Sequence, residues 1–227
     1  MTGYNYDAFS PDHYDLASAD GPEVGEKAPD FDLETHDGQK RRLLDFDGAC
    51  LVLELGSMTC PLFLTRQDSM EKIAEDFPDC AHAILYVREA HPGADIPAHK
   101  TLEDKRSCAS LLKTELNDPR TVLVDGVEGA AHLAYGSMPN AIYIIDREGI
   151  VRFKAPWNNA KTSRKALEAI LAGKPANMKS YFKPAKPWVV MSTAKRAGKG
   201  SGKDFVHGLP RLIWNVLIKN NIRTFLK

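Results

Sequence analysis

The residues with chemistry to offer gather around Cys60, in the stretch Glu54-Leu55-Gly56-Ser57-Met58-Thr59-Cys60-Pro61-Leu62-Phe63. A thiol at the start of a helix faces unpaired backbone N–H groups and the positive end of the helix dipole, which favour thiolate, the nucleophilic form. Pro61 suits a first helical turn, where its missing N–H would have had no partner anyway. Ser57 and Thr59 put hydroxyls close to the sulfur in sequence, able to donate to a thiolate or relay a proton. The plain alternative is a packed cysteine before a helix-starting proline, and this stretch alone leaves both open.

The elements that must position Cys60 follow from the pattern on either side. Cys50 to Leu55 is an apolar run of strand length, and Leu62 to Phe77 repeats apolar residues at helical spacing until Pro78. His82 to Val87 predicts the next strand. Thr101 with Asp104 forms a weakened capping box before a helix with apolar residues at Leu102, Ala109, Leu112 and Leu116. Thr121–Val124 reads as a strand, Asp125–Gly136 as a short helix or turn, and Ala141–Ile145 and Ile150–Phe153 as a hairpin about Asp146–Gly149. Thr162–Ala172 is a helix stopped by Gly173. Upstream, Val24–Leu33 reads as an edge strand or extended arm, and Asp37-Gly38 as a hairpin turn before Lys40–Leu44. Alternation of strands and helices predicts an α/β domain with Cys60 at the carboxyl end of a strand, where open α/β sheets place their sites.

Composition limits the function classes. Hydrophobic residues make up 43% and charged residues 26%, with 30 Lys+Arg balancing 30 Asp+Glu, so nothing overall calls for nucleic acid. The charge is polarised along the chain: residues 1–23 are an acidic, polar arm expected to be disordered or draped over the surface, residues 24–173 the domain, and residues 174–227 a basic tail. Four cysteines, Cys50, Cys60, Cys80 and Cys108, with no CxxC, do not make a disulfide scaffold. With no secretory signal and no spanning segment in the sequence, a reducing cytoplasm is the expected setting.

Val24-Gly-x-x-Ala-Pro-Asp-Phe-x-Leu33, Asp37-Gly38, the leading strand and Thr59-Cys60-Pro61 resemble the thioredoxin-like superfamily in its peroxiredoxin-type form. The sequence is more similar to iodothyronine deiodinases. Gly56-Ser57-x-Thr59-Cys60-Pro61-x-Phe63 resembles their selenocysteine motif, with cysteine in place of selenocysteine. Leu85-Tyr86-Val-x-Glu89-Ala90-His91, Ile96-Pro-x-His99-Lys-x-Leu102-Glu-Asp104, Tyr143-Ile-Ile and Pro156-Trp157-Asn158 follow in the same order. The resemblance implies a thioredoxin-like fold, a central mixed sheet flanked by helices, with a peroxiredoxin-type N-terminal extension and here a basic helical tail. It also implies thiol-dependent reductive dehalogenation of an iodinated phenol, with thiol peroxidation as the alternative.

In that reading Cys60 is the nucleophile and His91 the proton donor, its unperturbed pKa lying near neutrality. Glu89, Tyr86, Ser57 and Thr59 complete a hydrogen-bonded relay, although each has a plainer role open to it as a surface charge, a core residue or turn formers. The resemblance implies substrate contacts from His91, His99, Phe63 and Pro139, while Ala141 stands where the family has an arginine. Pro139 precedes a strand, as either a trans edge proline or a cis-proline beside the site. Cys80 and Cys108 are candidate resolving cysteines by position. No bound cofactor or metal is expected; the reductant would be an external thiol such as thioredoxin, glutathione or dithiothreitol. A homodimer is expected.

The tail is rich in Lys, Gly, Pro and Ser over Lys174–Lys203, with Ala197–Lys203 reading as a flexible linker, and continues into a basic amphipathic segment, 205–226, whose first turn could hold Pro210. That segment would pack on this domain or a second subunit, or lie on an anionic membrane surface.

Overall fold

The computed structural model describes residues 3–14 and 20–212, together with Trp214, Ile218 and Ile222. Seven strands form one mixed sheet: β1 (Asp32–Thr35), β2 (Lys40–Arg42), β3 (Cys50–Gly56), β4 (Ala81–Tyr86), β5 (Thr121–Val124), β6 (Ile142–Asp146) and β7 (Val151–Ala155), in the order β2-β1-β5-β4-β3-β6-β7. The central strands β3, β4 and β5 run parallel, and the remaining pairings are antiparallel. The helices are α1 (Pro61–Asp76), α2 (Leu102–Thr114), α3 (Ala130–Ala134), α4 (Ala160–Leu171), α5 (Pro187–Ala197) and α6 (Ser201–Leu212).

All seven residues of β3 are buried, as a strand covered on both faces requires. Its alternation decides the two cores. Leu51, Leu53 and Leu55 pack with Leu33, Leu43, Tyr135 and Trp157 on one face. Cys50 and Val52 turn to the other, against Met70 and Ile73 of α1 and Leu167 of α4. Beside them, Ile84, Tyr86 and Val122 meet Ala109 and Leu112 of α2. Glu54 is the exception in β3. It is buried, bonded to Arg120 at 2.6 Å, and receives the side-chain amides of Asn140 at 3.0 Å and Asn158 at 2.5 Å.

Two expectations about the tail are corrected. Ala197–Lys203, read as a flexible linker, holds the last residue of α5 and the first three of α6, leaving only residues 198–200 between the helices, and α5 packs on the domain. Lys186 N–H donates to Thr65 at 3.1 Å, and the carbonyl of Ala197 receives the N–H groups of Asp95 and Ile96 at 2.9 and 3.2 Å. Pro210 lies inside α6, whose first residue is Ser201, rather than in a first turn. Half of the amphipathic segment 205–226 lies outside the described residues. Residues 3–14 of the N-terminal stretch lie against the domain, with Phe9 and Tyr14 buried. Among the described residues no helix is long and apolar enough to cross a membrane.

Candidate active site

Chain direction puts Cys60 where the sequence pattern predicts. β3 ends at Gly56, a turn follows, and Cys60 caps α1 in extended backbone (φ −95°, ψ 105°) with Pro61 as the first helical residue. Glycine at 56 is a packing requirement, since a Cβ there would lie 2.2 Å from the ring of Phe63. Cys60 N–H donates to Ser57 O at 3.1 Å, closing the turn.

The loop after β4 is pinned to this turn. Glu89 receives the Thr59 N–H at 2.9 Å and the Thr59 hydroxyl at 2.6 Å on one oxygen; the other receives the Tyr86 hydroxyl and lies 3.2 Å from His99 Nε2. Thr59 Oγ1 in turn accepts the backbone N–H of His91 at 3.0 Å, and Ser57 Oγ that of Ala90 at 3.3 Å. Tyr86 accepts from Met58 N–H at 3.2 Å. Six positions chosen from the sequence, Ser57, Thr59, Cys60, Tyr86, Glu89 and His91, therefore meet at the carboxyl ends of β3 and β4. The hydroxyls of Ser57 and Thr59 serve the loop, however, and among the described residues neither bonds to the sulfur.

Electrostatics differ from expectation. Burial pushes the Cys60 thiol up to about 12, outweighing the Phe63 and Leu62 N–H groups and Arg66, which favour thiolate. The sulfur is thus sealed in this form, its residue only 1% exposed. Burial likewise pulls His91 down to about 3, so the imidazole is neutral. Burial alone would raise Glu89, but the bonds from His99, Thr59 and Tyr86 hold its carboxyl below the usual value.

Several expected contacts are relocated. His99 is buried against Glu89 and joins the network in this closed form. Phe63 is fully buried, packed on Gly56 with the Arg120 guanidinium 5.8 Å from its ring, so it is core. Pro139 is buried before β6, and among the described residues no peptide bond is cis. Cys80 precedes β4 while Cys60 follows the parallel β3, at opposite ends of the sheet, and Cys80 instead sits 3.2 Å from Cys50, sulfur to sulfur. That placement removes it as a resolving cysteine. Cys108, on α2, has its sulfur within 4.8 Å of the donor atoms of Glu89 and His99. Such a donor set suits a borderline cation such as zinc, although Glu89 already receives Tyr86 and Thr59.

What the sequence reading missed lies over the site. Phe9 sets its ring 4.1 Å from that of His91, and Tyr6 donates its hydroxyl to Ala90 O at 3.0 Å. The available signal was four aromatic residues, Tyr4, Tyr6, Phe9 and Tyr14, in a stretch otherwise polar enough for disorder. Arg66 was missed as well: it donates to Leu62 O at 2.8 Å and to the carbonyls of Asn158 and Lys183.

Comparison with known proteins places this geometry. The family model for iodothyronine deiodinase matches residues 10–170, more than half of the chain. Thyroxine 5-deiodinase of Gallus gallus is 36% identical over 141 residues, 56% of this chain and 54% of the relative; that of Ovis aries is 31% identical over 134 residues, 53% and 46%. The chain thus spans about half the length of the curated relatives it matches. An uncharacterized conserved protein from Geobacillus kaustophilus superposes with a TM-score of 0.58 at 23% identity, over 72% of this chain and 94% of that one. A thiol peroxidase from Chromobacterium violaceum gives 0.50 at 16%, over 68% and 89%. These two likenesses establish the fold, thioredoxin-like with helices on a mixed sheet.

Proposed function

The chain belongs to the iodothyronine deiodinase family, and from that premise we propose that it is a thiol-dependent oxidoreductase that removes iodine from an iodinated phenol. The observation that carries this reading is Thr59. Its N–H and hydroxyl hold Glu89 while its Oγ1 holds the His91 backbone, so one residue ties the nucleophile's turn to the proton donor's loop.

In the reaction, Cys60 thiolate attacks the iodine of an aryl C–I bond. An S–I bond forms, the C–I pair stays on carbon, and carbon takes a proton from His91. An external thiol then displaces iodide from the sulfenyl iodide to give a mixed disulfide, and a second thiol releases Cys60 and the oxidised reductant. Substrate, two thiols and no other reagent balance to deiodinated phenol, iodide, a proton and a disulfide. Opening to substrate relieves the burial that keeps Cys60 protonated and His91 neutral, which leaves the helix N-terminus to favour thiolate. Glu89, with Tyr86, Thr59 and His99, orients the loop and recharges the donor.

Thioredoxin, glutathione or dithiothreitol serves as reductant in this scheme. Exposed Trp188, Met191 and Val206 on the basic α5 and α6 support peripheral contact with an anionic membrane surface, which flotation on anionic liposomes tests.

The test is iodide release from iodothyronines by the full chain with dithiothreitol, beside Cys60→Ala. Release by the parent and none by the variant supports the proposal. Rapid hydrogen peroxide consumption without iodide release replaces it with the thiol peroxidase reading, and neither activity overturns both.

A further inference from the structure

Arg88 stands between β4 and Glu89 with its side chain turned into the protein, 7% exposed. Among the described residues it makes no ion pair. Its Nη1 donates to Tyr4 O at 2.7 Å and its Nη2 to His13 O at 2.8 Å, while Nε is buried without a hydrogen-bond partner. The guanidinium carbon lies 5.1, 5.0 and 4.6 Å from the ring centres of Tyr4, Tyr6 and Tyr14. A second buried cation, Lys105, sits 5.5 Å from the ring of Tyr4, near the carboxylates of Asp125 and Glu89. Among the described residues, everything bonded to the Arg88 guanidinium therefore comes from residues 4–14, in the form of neutral carbonyls and ring faces.

A buried cation held only by neutral groups is weakly compensated compared with one bonded to an anion. The segment that compensates it is short. Its regular structure is one 3₁₀ turn, Pro11–His13; it exposes Asp7 and Asp12 and is held to the domain by side chains and carbonyls rather than by a strand pairing. It is also what covers the site. Tyr6 spans from the guanidinium to the Ala90 carbonyl, and Phe9 lies on His91, backed by α6, where a Cβ at Gly208 would come 2.9 Å from its ring. A phenol over a guanidinium with its hydroxyl beside the His91 loop is an internal likeness of an aromatic ligand.

We propose that residues 3–14 are a removable cover whose Tyr6 and Phe9 hold the seat of an aromatic ring, and that Arg88 is the anion-binding group of that seat. It engages the carboxylate or phenolate of the incoming iodoaromatic when the cover lifts. The inference rests on the reading above for its substrate class, but its readouts are binding and accessibility, which need no turnover.

The experiment uses the full chain and three probes: 3-(3-iodo-4-hydroxyphenyl)propionic acid, its amide, and its 4-methyl ether, with affinities from calorimetry. The acid is expected to bind at least about tenfold tighter than one of the other two, the weaker analogue naming the anion, carboxylate or phenolate. Arg88→Met abolishes that preference and Arg88→Lys retains part of it. In parallel, Phe9→Ala and Tyr6→Ala, with folding checked by near-ultraviolet circular dichroism, raise iodoacetamide labelling of Cys60 about tenfold. Equal affinity for all three probes, or an unchanged preference in folded Arg88→Met or Arg88→Lys protein, overturns the anion site. Unchanged labelling in the folded arm variants overturns the cover. Charge-selective binding without iodide release would instead leave this inference standing and sink the reaction.

Discussion

Thr59 gives both its backbone N–H and its hydroxyl to a single oxygen of Glu89, at 2.9 and 2.6 Å, one residue before Cys60. A carboxylate with two donors on one oxygen and Tyr86 on the other holds the turn and the loop as one unit. Glu89→Gln replaces one acceptor oxygen with an amide that offers protons to donors. It is expected to lower iodide release at least tenfold. Thr59→Val, which keeps the N–H bond to Glu89, loses the hydroxyl's bond to Glu89 and leaves the His91 N–H without its acceptor, at a cost of about 2–4 kcal/mol of stability, and Thr59→Ser restores both. Urea melts and initial rates measured on the three variants check both effects.

Cys60 offers a second test, because its sulfur sits at a helix N-terminus yet burial raises its pKa to about 12. A buried thiol of that kind is thiolate in only about one molecule in a hundred thousand at pH 7. Alkylation of Cys60 by iodoacetamide, followed by peptide mass spectrometry, should therefore rise about tenfold per pH unit from pH 7 to 9. A plateau below pH 7 would mean that the resting sulfur is already anionic and that the closed site is not the dominant form in solution.

Two buried histidines make the fold acid-sensitive. Burial pulls both His91 and His132 down to about 3. Unfolded, each titrates near 6.5, so between about pH 6.5 and 3 the unfolded chain binds the extra protons. Stability is then lost as pH falls through that window, at up to about 1.4 kcal/mol per pH unit for each histidine. Both rings touch the N-terminal cover, His91 through Phe9 and His132 through the Tyr4 hydroxyl at 2.7 Å. Urea midpoints should fall between pH 7 and pH 5, and His132→Phe should shallow that slope.

How much of this was legible depended on distance along the chain. β3 and α1 could be read because each repeats its own period, and Cys60 was placed by the junction between them. Ser57 and Thr59 were found because they stand within three residues of Cys60, and Tyr86 and Glu89 because the motif from Leu85 to His91 resembles that of the family. Phe63 was misassigned, since a residue type does not say whether its side chain turns toward a pocket or into packing. The cover was illegible as such: the pattern of residues 3–14 carries no period, and its partners, Arg88, Ala90, His91 and His132, lie some eighty residues or more away. Glu54 broke the apolar run of β3, and the partner that explains it, Arg120, is remote as well.

That partnership supports the last prediction. Arg120 bonds Glu54 at 2.6 Å and Asp118 at 2.6 and 2.9 Å, and all three side chains are almost fully buried. Replacing a buried pair by apolar groups can be harmless, but removing one member strands the others. Arg120→Met leaves two buried carboxylates without their cation and is expected to cost about 3–5 kcal/mol. Glu54→Gln should cost distinctly less, because Arg120 keeps its two bonds to Asp118. The same carboxylate holds Asn140, just before β6, and Asn158, just after β7, so Glu54→Gln should also loosen the joints flanking that hairpin. Guanidinium melts rank the two variants, and hydrogen exchange at residues 140 and 158 reports the loosening; equal cost for both substitutions would mean that Glu54 and Asp118 do not share one cation.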